Sequence, residues 1–161
     1  MRVSADNLFR LLKEGQITSS GFLRVLASFE ADVPQEGAHI ELKSAEILRK
    51  HGKERVAFFK HIAAFASHPE GTVSFLFVGI ANKRAPENHT FSAEERRFIV
   101  HAFDEHPENY VNPPAMCDWV IRPYAGGELL CVCVFGDGRR HVCALNNTAY
   151  RRDGAKTVPV P

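Results

Sequence analysis

Apolar positions along this chain follow two spacings, and the changes from one to the other mark the elements. Near the start, Ser4 is placed to cap a helix that carries Leu8, Leu11 and Leu12 inward and ends at Gly15. A second helix from Ser20 places Phe22, Val25, Leu26 and Phe29 at helical spacing. Pro34 and Gly37 lead into a strand over 36–44, where alternation puts His39, Glu41 and Lys43 on one face and Ile40 and Leu42 on the other. Helical spacing returns over 53–67, with Val56, Phe59, Ile62, Ala63 and Ala66 on one stripe and Arg55 and Lys60 off it. The turn His68-Pro69-Glu70-Gly71 then feeds a run over 72–81 rich in β-branched and aromatic residues, which reads as a buried strand.

Ser92 followed by Glu95 is a capping-box pattern for a helix that buries Phe98, Ile99, Ala102 and Phe103 and stops at Pro107. Beyond Asn112-Pro113-Pro114 the chain turns to strands at 116–122, 128–135 and 140–145, with short ones near Tyr150 and Val158. Gly126-Gly127 and Gly136-Asp137-Gly138 stand where hairpin turns are expected. The order predicts an α+β fold, with helices packed on a mixed, mostly antiparallel sheet. No internal repeat or low-complexity segment interrupts it.

Composition narrows the class. A chain of 161 residues with 45% hydrophobic and 24% charged residues suits a single domain with one core. The first residues lack a signal-peptide run, and the apolar stretches 75–81 and 129–135 are too short to span a bilayer, so a soluble cytoplasmic protein without membrane contact is expected. The four cysteines read as reduced thiols.

A net charge of +1 conceals blocks of opposite sign. From 43 to 60 there are six basic residues (Lys43, Arg49, Lys50, Lys53, Arg55, Lys60) against two acidic ones, whereas from 85 to 110 six acidic residues oppose Arg96 and Arg97. Arg139, Arg140, Arg151, Arg152 and Lys156 form a second basic group. A polyanion could meet both basic segments, which makes DNA or RNA the expected partner; solvated helix faces are the plain alternative.

Two constellations carry candidate chemistry. Glu36, Glu41 and Lys43 are residue types that hold a divalent metal or meet a phosphate; a solvated strand with one ion pair is the plainer reading of the local pattern. If Gly136-Asp137-Gly138 closes a hairpin, Cys131 faces Cys143 and Cys133 faces His141, a donor set suited to structural zinc; core packing of the thiols is the alternative.

The series Glu36-x4-Glu41-Leu42-Lys43, then 60–66 leading into Phe75-Leu-Phe-Val-Gly79-Ile80, then Tyr150-x-Arg152-x-Gly154-x-x-Thr157-Val-Pro159 resembles the Schlafen AlbA domain family over 36–159. That resemblance implies a family-like core at 36–161, with 1–35 as an N-terminal helical addition available for self-association or a partner protein. It also implies association with nucleic acid and, in animal Schlafen proteins, RNA cleavage by two glutamates and an aspartate. Glu36 and Glu41 match the glutamate pair, but the third acidic position is held by Asn82, a poorer ligand for a cation.

Three function classes stay open on the sequence. The first is a nucleic-acid-binding domain using Lys43, Lys50, Lys53, Lys60, Arg139, Arg140, Arg152 and Lys156 on phosphates. The second is a Mg- or Mn-dependent endonuclease, acting on RNA before DNA, with Glu36, Glu41 and Lys43 as catalytic residues. The third is an interaction or regulatory module that binds no nucleic acid.

Overall fold

A computed structural model describes residues 37–80, 86–124 and 126–161. The two expected N-terminal helices, Glu36, and Ala81 and Asn82 lie outside the described residues.

Two four-stranded sheets enclose a helix. The first sheet has the order β1-β2-β5-β4, from β1 (Ile40–Lys43), β2 (Val73–Val78), β5 (Gly127–Phe135) and β4 (Met116–Tyr124). β1 and β2 run parallel, with Glu41 opposite Leu76, and all other neighbours are antiparallel. A parallel pair needs a crossover. Here it is made by two 3₁₀ turns (Ala45–Arg49 and Gly52–Arg55) and α1 (Val56–Ala66). The second sheet has the order β3-β6-β7-β8, from β3 (Val111–Asn112), β6 (Val142–Cys143), β7 (Thr148–Asp153) and β8 (Lys156–Pro159). The α+β class and the mostly antiparallel pairing agree with the sequence reading. No described helix is long and apolar enough to cross a membrane.

The main core lies between the sheets. Phe58, Phe59, Ile62, Phe65 and Ala66 of α1 pack with Leu76 and Val78, with Leu130, Val132 and Val134 of β5, and with Val111 and Cys143 of the second sheet. This placement corrects the single-stripe reading of α1: Phe58, His61, Ala64 and Phe65 are buried as well, because a helix with a sheet on either side has no wet face to spare. The alternate residues of the first sheet, Ile40, Phe75, Phe77, Leu129, Cys131 and Cys133, form a second apolar cluster with Tyr124 and Ile80. Burial of both sheet faces is why β2 and β5 read as unbroken apolar runs.

α2 (Ala93–Val100) begins at a complete capping box. Ser92 Oγ accepts from the Glu95 N–H at 3.1 Å, and Glu95 Oε1 accepts from the Ser92 N–H at 2.7 Å. A π-helical turn, His101–Glu105, extends α2 before Pro107.

Gly126 takes φ +85° where Tyr124 pairs with Gly127, so the β4–β5 hairpin forms as expected. The hairpin expected at Gly136-Asp137-Gly138 does not. β5 pairs with β2 and β4, whereas β6 pairs with β3 and β7. The chain leaves one sheet there and enters the other. A side chain at Gly136 would put its Cβ 2.7 Å from His68 O and 2.8 Å from Pro69 O, so glycine serves a close crossing of two backbone segments.

Candidate functional site

The conspicuous polar cluster is internal. β1 presents Glu41 toward α1 and the β7–β8 hairpin, where the carboxylate is only 4% exposed. Arg152 of β7 reaches it: Nη1 donates to Glu41 Oε1 at 2.6 Å and to Thr157 Oγ1 at 3.0 Å, while Nη2 donates to the carbonyls of Gly37 and, at 3.2 Å, Ile40. Its guanidinium lies 5.0 Å from the centre of the Phe65 ring. His61 Nδ1 stands 3.5 Å from Glu41 Oε1 and 2.8 Å from Thr157 Oγ1, and Lys43 Nζ stands 3.8 Å from Glu41 Oε2. Arg152 Nε and His61 Nε2 are buried with no hydrogen-bond partner among the described residues.

Burial, and after it the positive charges of Lys43, Arg152 and Lys60, push the His61 pKa down to about 2. The imidazole is therefore neutral, and the net charge of the cluster rests on Glu41, Arg152 and Lys43. Chemically this is a clamp. Its guanidinium binds a carboxylate and the carbonyls of Ile40 and of Gly37 just before β1, and so ties the last hairpin to the edge of the first sheet.

The sequence put Glu41 and Lys43 on one strand face, and the structure adds Arg152 to them through Glu41. Sequence reasoning missed His61, which lies off the expected apolar stripe of α1 and has its partner Thr157 96 residues away. Gly154 has φ +60° and open space around its Cβ position, so its glycine serves the β7–β8 turn.

The expected phosphate contacts separate into distinct surroundings. Arg152 is interior, a correction to its reading as a surface contact: its side chain is 1% exposed and its donors go to protein oxygens. Lys43 is partly buried beside Glu41. Lys50 lies between Glu46, at 3.5 Å, and Glu54, at 4.0 Å. Lys53 is exposed and Lys60 half-buried. Beside the first basic segment a cavity of about 260 Å³ is lined by Arg49, His51 and Arg55 together with Glu94 and Glu95 of α2, so charge there is mixed. Arg55 is further occupied, donating to Lys50 O at 2.8 Å and lying 4.0 Å from the Phe98 ring centre.

The second basic group differs. Arg139, Arg140 and Arg151 line one open pocket of about 270 Å³ together with Ser67, Gly138 and Tyr150, and among the described residues no carboxylate lines it. All three arginines are exposed, as is Lys156, and none of the four is in an ion pair among the described residues. The wall carrying Arg139 and Arg140 is pinned from beneath by His141. Its N–H donates to Ser67 Oγ at 3.0 Å, and its ring bonds Pro113 O at 2.6 Å and Asp137 Oδ1 at 2.9 Å. Asp137 Oδ1 also accepts from the Arg139 N–H at 2.9 Å. Burial opposes the Asp137 charge, but the bonds from Arg139 and His141 outweigh it and hold the carboxyl below its ordinary pKa.

The cysteine and histidine set is not assembled. With β5 and β6 in different sheets, Cys131 and Cys133 sit in the second apolar cluster, Cys143 sits in the main core, and His141 is taken by Pro113 and Asp137. Among the described residues no three His, Cys, Asp or Glu side chains converge as metal ligands.

Fold and site together define a two-sheet α+β protein with an internal carboxylate–guanidinium clamp and an arginine-lined surface pocket. No family model and no curated protein matches the chain. Solved structures do. The DIP2311 protein from Corynebacterium diphtheriae is similar over 76% of this chain, with a TM-score of 0.50 and 18% identity. The N-terminal domain of the "putative ATP-dependent DNA helicase RecG-related protein" from Nitrosomonas europaea is similar over 74% of this chain and 73% of that one, with a TM-score of 0.49 and 20% identity. The chain spans 22% of the length of the Corynebacterium protein, and at 18% identity that likeness shows the fold alone.

Proposed function

We propose that the protein is a nucleic-acid-binding domain that contacts DNA or RNA mainly through phosphates. The observation that carries this reading is that Arg139, Arg140 and Arg151 share one pocket lined, among the described residues, by no carboxylate. Guanidinium forks match phosphate oxygens in geometry and charge, and the resemblance to the Schlafen AlbA family points the same way. Lys156, exposed on the same β7–β8 hairpin as Arg151, adds positive charge there.

The geometry does not favour the cleavage reading. Divalent-metal chemistry at Glu36 and Glu41 needs the Glu41 carboxylate as a ligand, and Arg152 holds its Oε1 at 2.6 Å in a buried site with Lys43 beside the other oxygen. A cation entering there would meet two positive side chains, which weighs against magnesium or manganese at Glu41.

Fluorescence anisotropy with labelled single- and double-stranded DNA and RNA tests the proposal. Three phosphate contacts give a slope of log K against log salt of about −2 to −3, with little dependence on base sequence. Charge reversal in Arg140→Glu/Arg151→Glu abolishes binding while the unfolding transition stays in place. Absence of binding at about 50 mM salt overturns the proposal.

A further inference from the structure

We infer that the arginine pocket takes the terminal phosphate monoester of a nucleic-acid strand, in preference to phosphates within the strand. The inference rests on the nucleic-acid reading above and specifies its ligand. Two features of the pocket carry it: three cations meet at one concavity, and the backbone beneath them is fixed.

Charge and shape both favour an end group. A monoester carries about −1.5 to −2 near neutral pH and presents three acceptor oxygens, whereas an internal diester carries one charge, has two free oxygens and is flanked by sugar on both sides. Arg139, Arg140 and Arg151, all exposed, line one pocket of about 270 Å³. That donor set exceeds what one diester can accept and suits a monoester. A duplex backbone would instead call for cations strung along an extended stripe, and the other exposed cations of the second sheet, such as Lys156, do not line this pocket.

The walls are preorganised. Gly138 donates its N–H to His68 O at 2.8 Å, and the Asp137 to His141 link closes the loop that carries Arg139 and Arg140. Arg151 is fixed on the opposite wall by its strand register, paired with Val158 of β8. Only side chains must settle on binding, which lowers the ordering cost. Ser67 caps the C-terminal end of α1, where free carbonyls would repel an anion. Three of the last four are occupied: Ala63 O accepts from the Ser67 N–H at 3.2 Å and from Ser67 Oγ at 2.8 Å, Phe65 O from His68 N–H, and Ala66 O from Asp137 N–H. Asp137, the acid nearest in sequence, spends both oxygens on His141 and one also on the Arg139 N–H.

The test compares one internally labelled single-stranded oligonucleotide in three forms, with a 5′-phosphate, with a 3′-phosphate, and with hydroxyls at both ends. One phosphorylated form is expected to bind about tenfold tighter than the hydroxyl form, equivalent to about 1.4 kcal/mol. The difference disappears in Arg140→Ala/Arg151→Ala, whatever affinity remains, with the melting transition unchanged. Equal affinity for all three forms overturns the inference while leaving the binding reading intact. A mononucleotide that competes as strongly as the phosphorylated strand also overturns it, because the ligand is then a free monoester. Failure of every oligonucleotide to bind at low salt removes the nucleic-acid reading itself.

Discussion

Replacing Arg152 with methionine isolates what the buried clamp contributes. Methionine keeps most of the apolar contact over Phe65 but deletes the donors to Glu41, Thr157 and the carbonyls of Gly37 and Ile40. Removing one partner of a buried ion pair costs about 3–5 kcal/mol, because the other charge stays in a low-dielectric site. Lys43, at 3.8 Å and a quarter exposed, offsets part of that. A loss of about 3–4 kcal/mol is therefore expected, a large share of the ~5–15 kcal/mol that holds a domain together.

The double variant Glu41→Leu/Arg152→Met should recover most of the loss, since the charge then left in the cluster is that of Lys43, a quarter exposed to water. His61 adds a pH signature. In the native chain its pKa is held down first by burial and then by positive neighbours that include Arg152. Without Arg152, and with Glu41 unmatched 3.5 Å away, the imidazole takes a proton and becomes the missing cation. The deficit of Arg152→Met should thus be smaller near pH 5 than at pH 8. Equilibrium urea unfolding followed by the single tryptophan, Trp119, measures all three chains. A single-variant cost under about 1 kcal/mol, or a double variant no better than the single one, refutes the reasoning.

Two further outcomes follow from local geometry. Because the folded pKa of His61 lies below its unfolded value of 6.5, the unfolded chain gains the proton first; His61 then contributes stability that is full above pH 6.5 and falls by about 1.4 kcal/mol per unit as acid is added, so His61→Gln should flatten urea midpoints between pH 7 and 5. The burial-lowered pKa values of His39 and His68 give a residual slope of the same sign, and an unchanged slope in the variant would sink the assignment. Gly136→Ala should cost about 1–3 kcal/mol by driving a Cβ onto two backbone oxygens, and Gly154→Ala about 1 kcal/mol through its φ of +60° alone; the reverse order by thermal melting would contradict the crossing described at Gly136.

What the sequence revealed divides by distance along the chain. The Ser92–Glu95 box was legible because both of its bonds close within three residues. Glu41 and Lys43 were legible as strand neighbours by alternation, but not the burial of Glu41, which depends on α1 and β7 arriving from elsewhere. Gly136-Asp137-Gly138 carried the chemistry of a hairpin turn and serves a crossing between sheets, since a glycine needed for close approach looks the same as one needed for a turn. The zinc reading fell with that hairpin. The arginine pocket was legible only as a charge cluster; its shape comes from β7 docking beside the loop at 138–140.

The clamp also has a timetable. Glu41 and Arg152 are separated by 111 positions, and a ribosome delivers them in that order. Throughout synthesis of the intervening chain, β1 can pair with β2 but its carboxylate has no guanidinium to receive it, so the edge of the first sheet stays wet and reversible. The last hairpin acts as a latch, and the sheet edge becomes committed only after nearly everything else in the domain has been made.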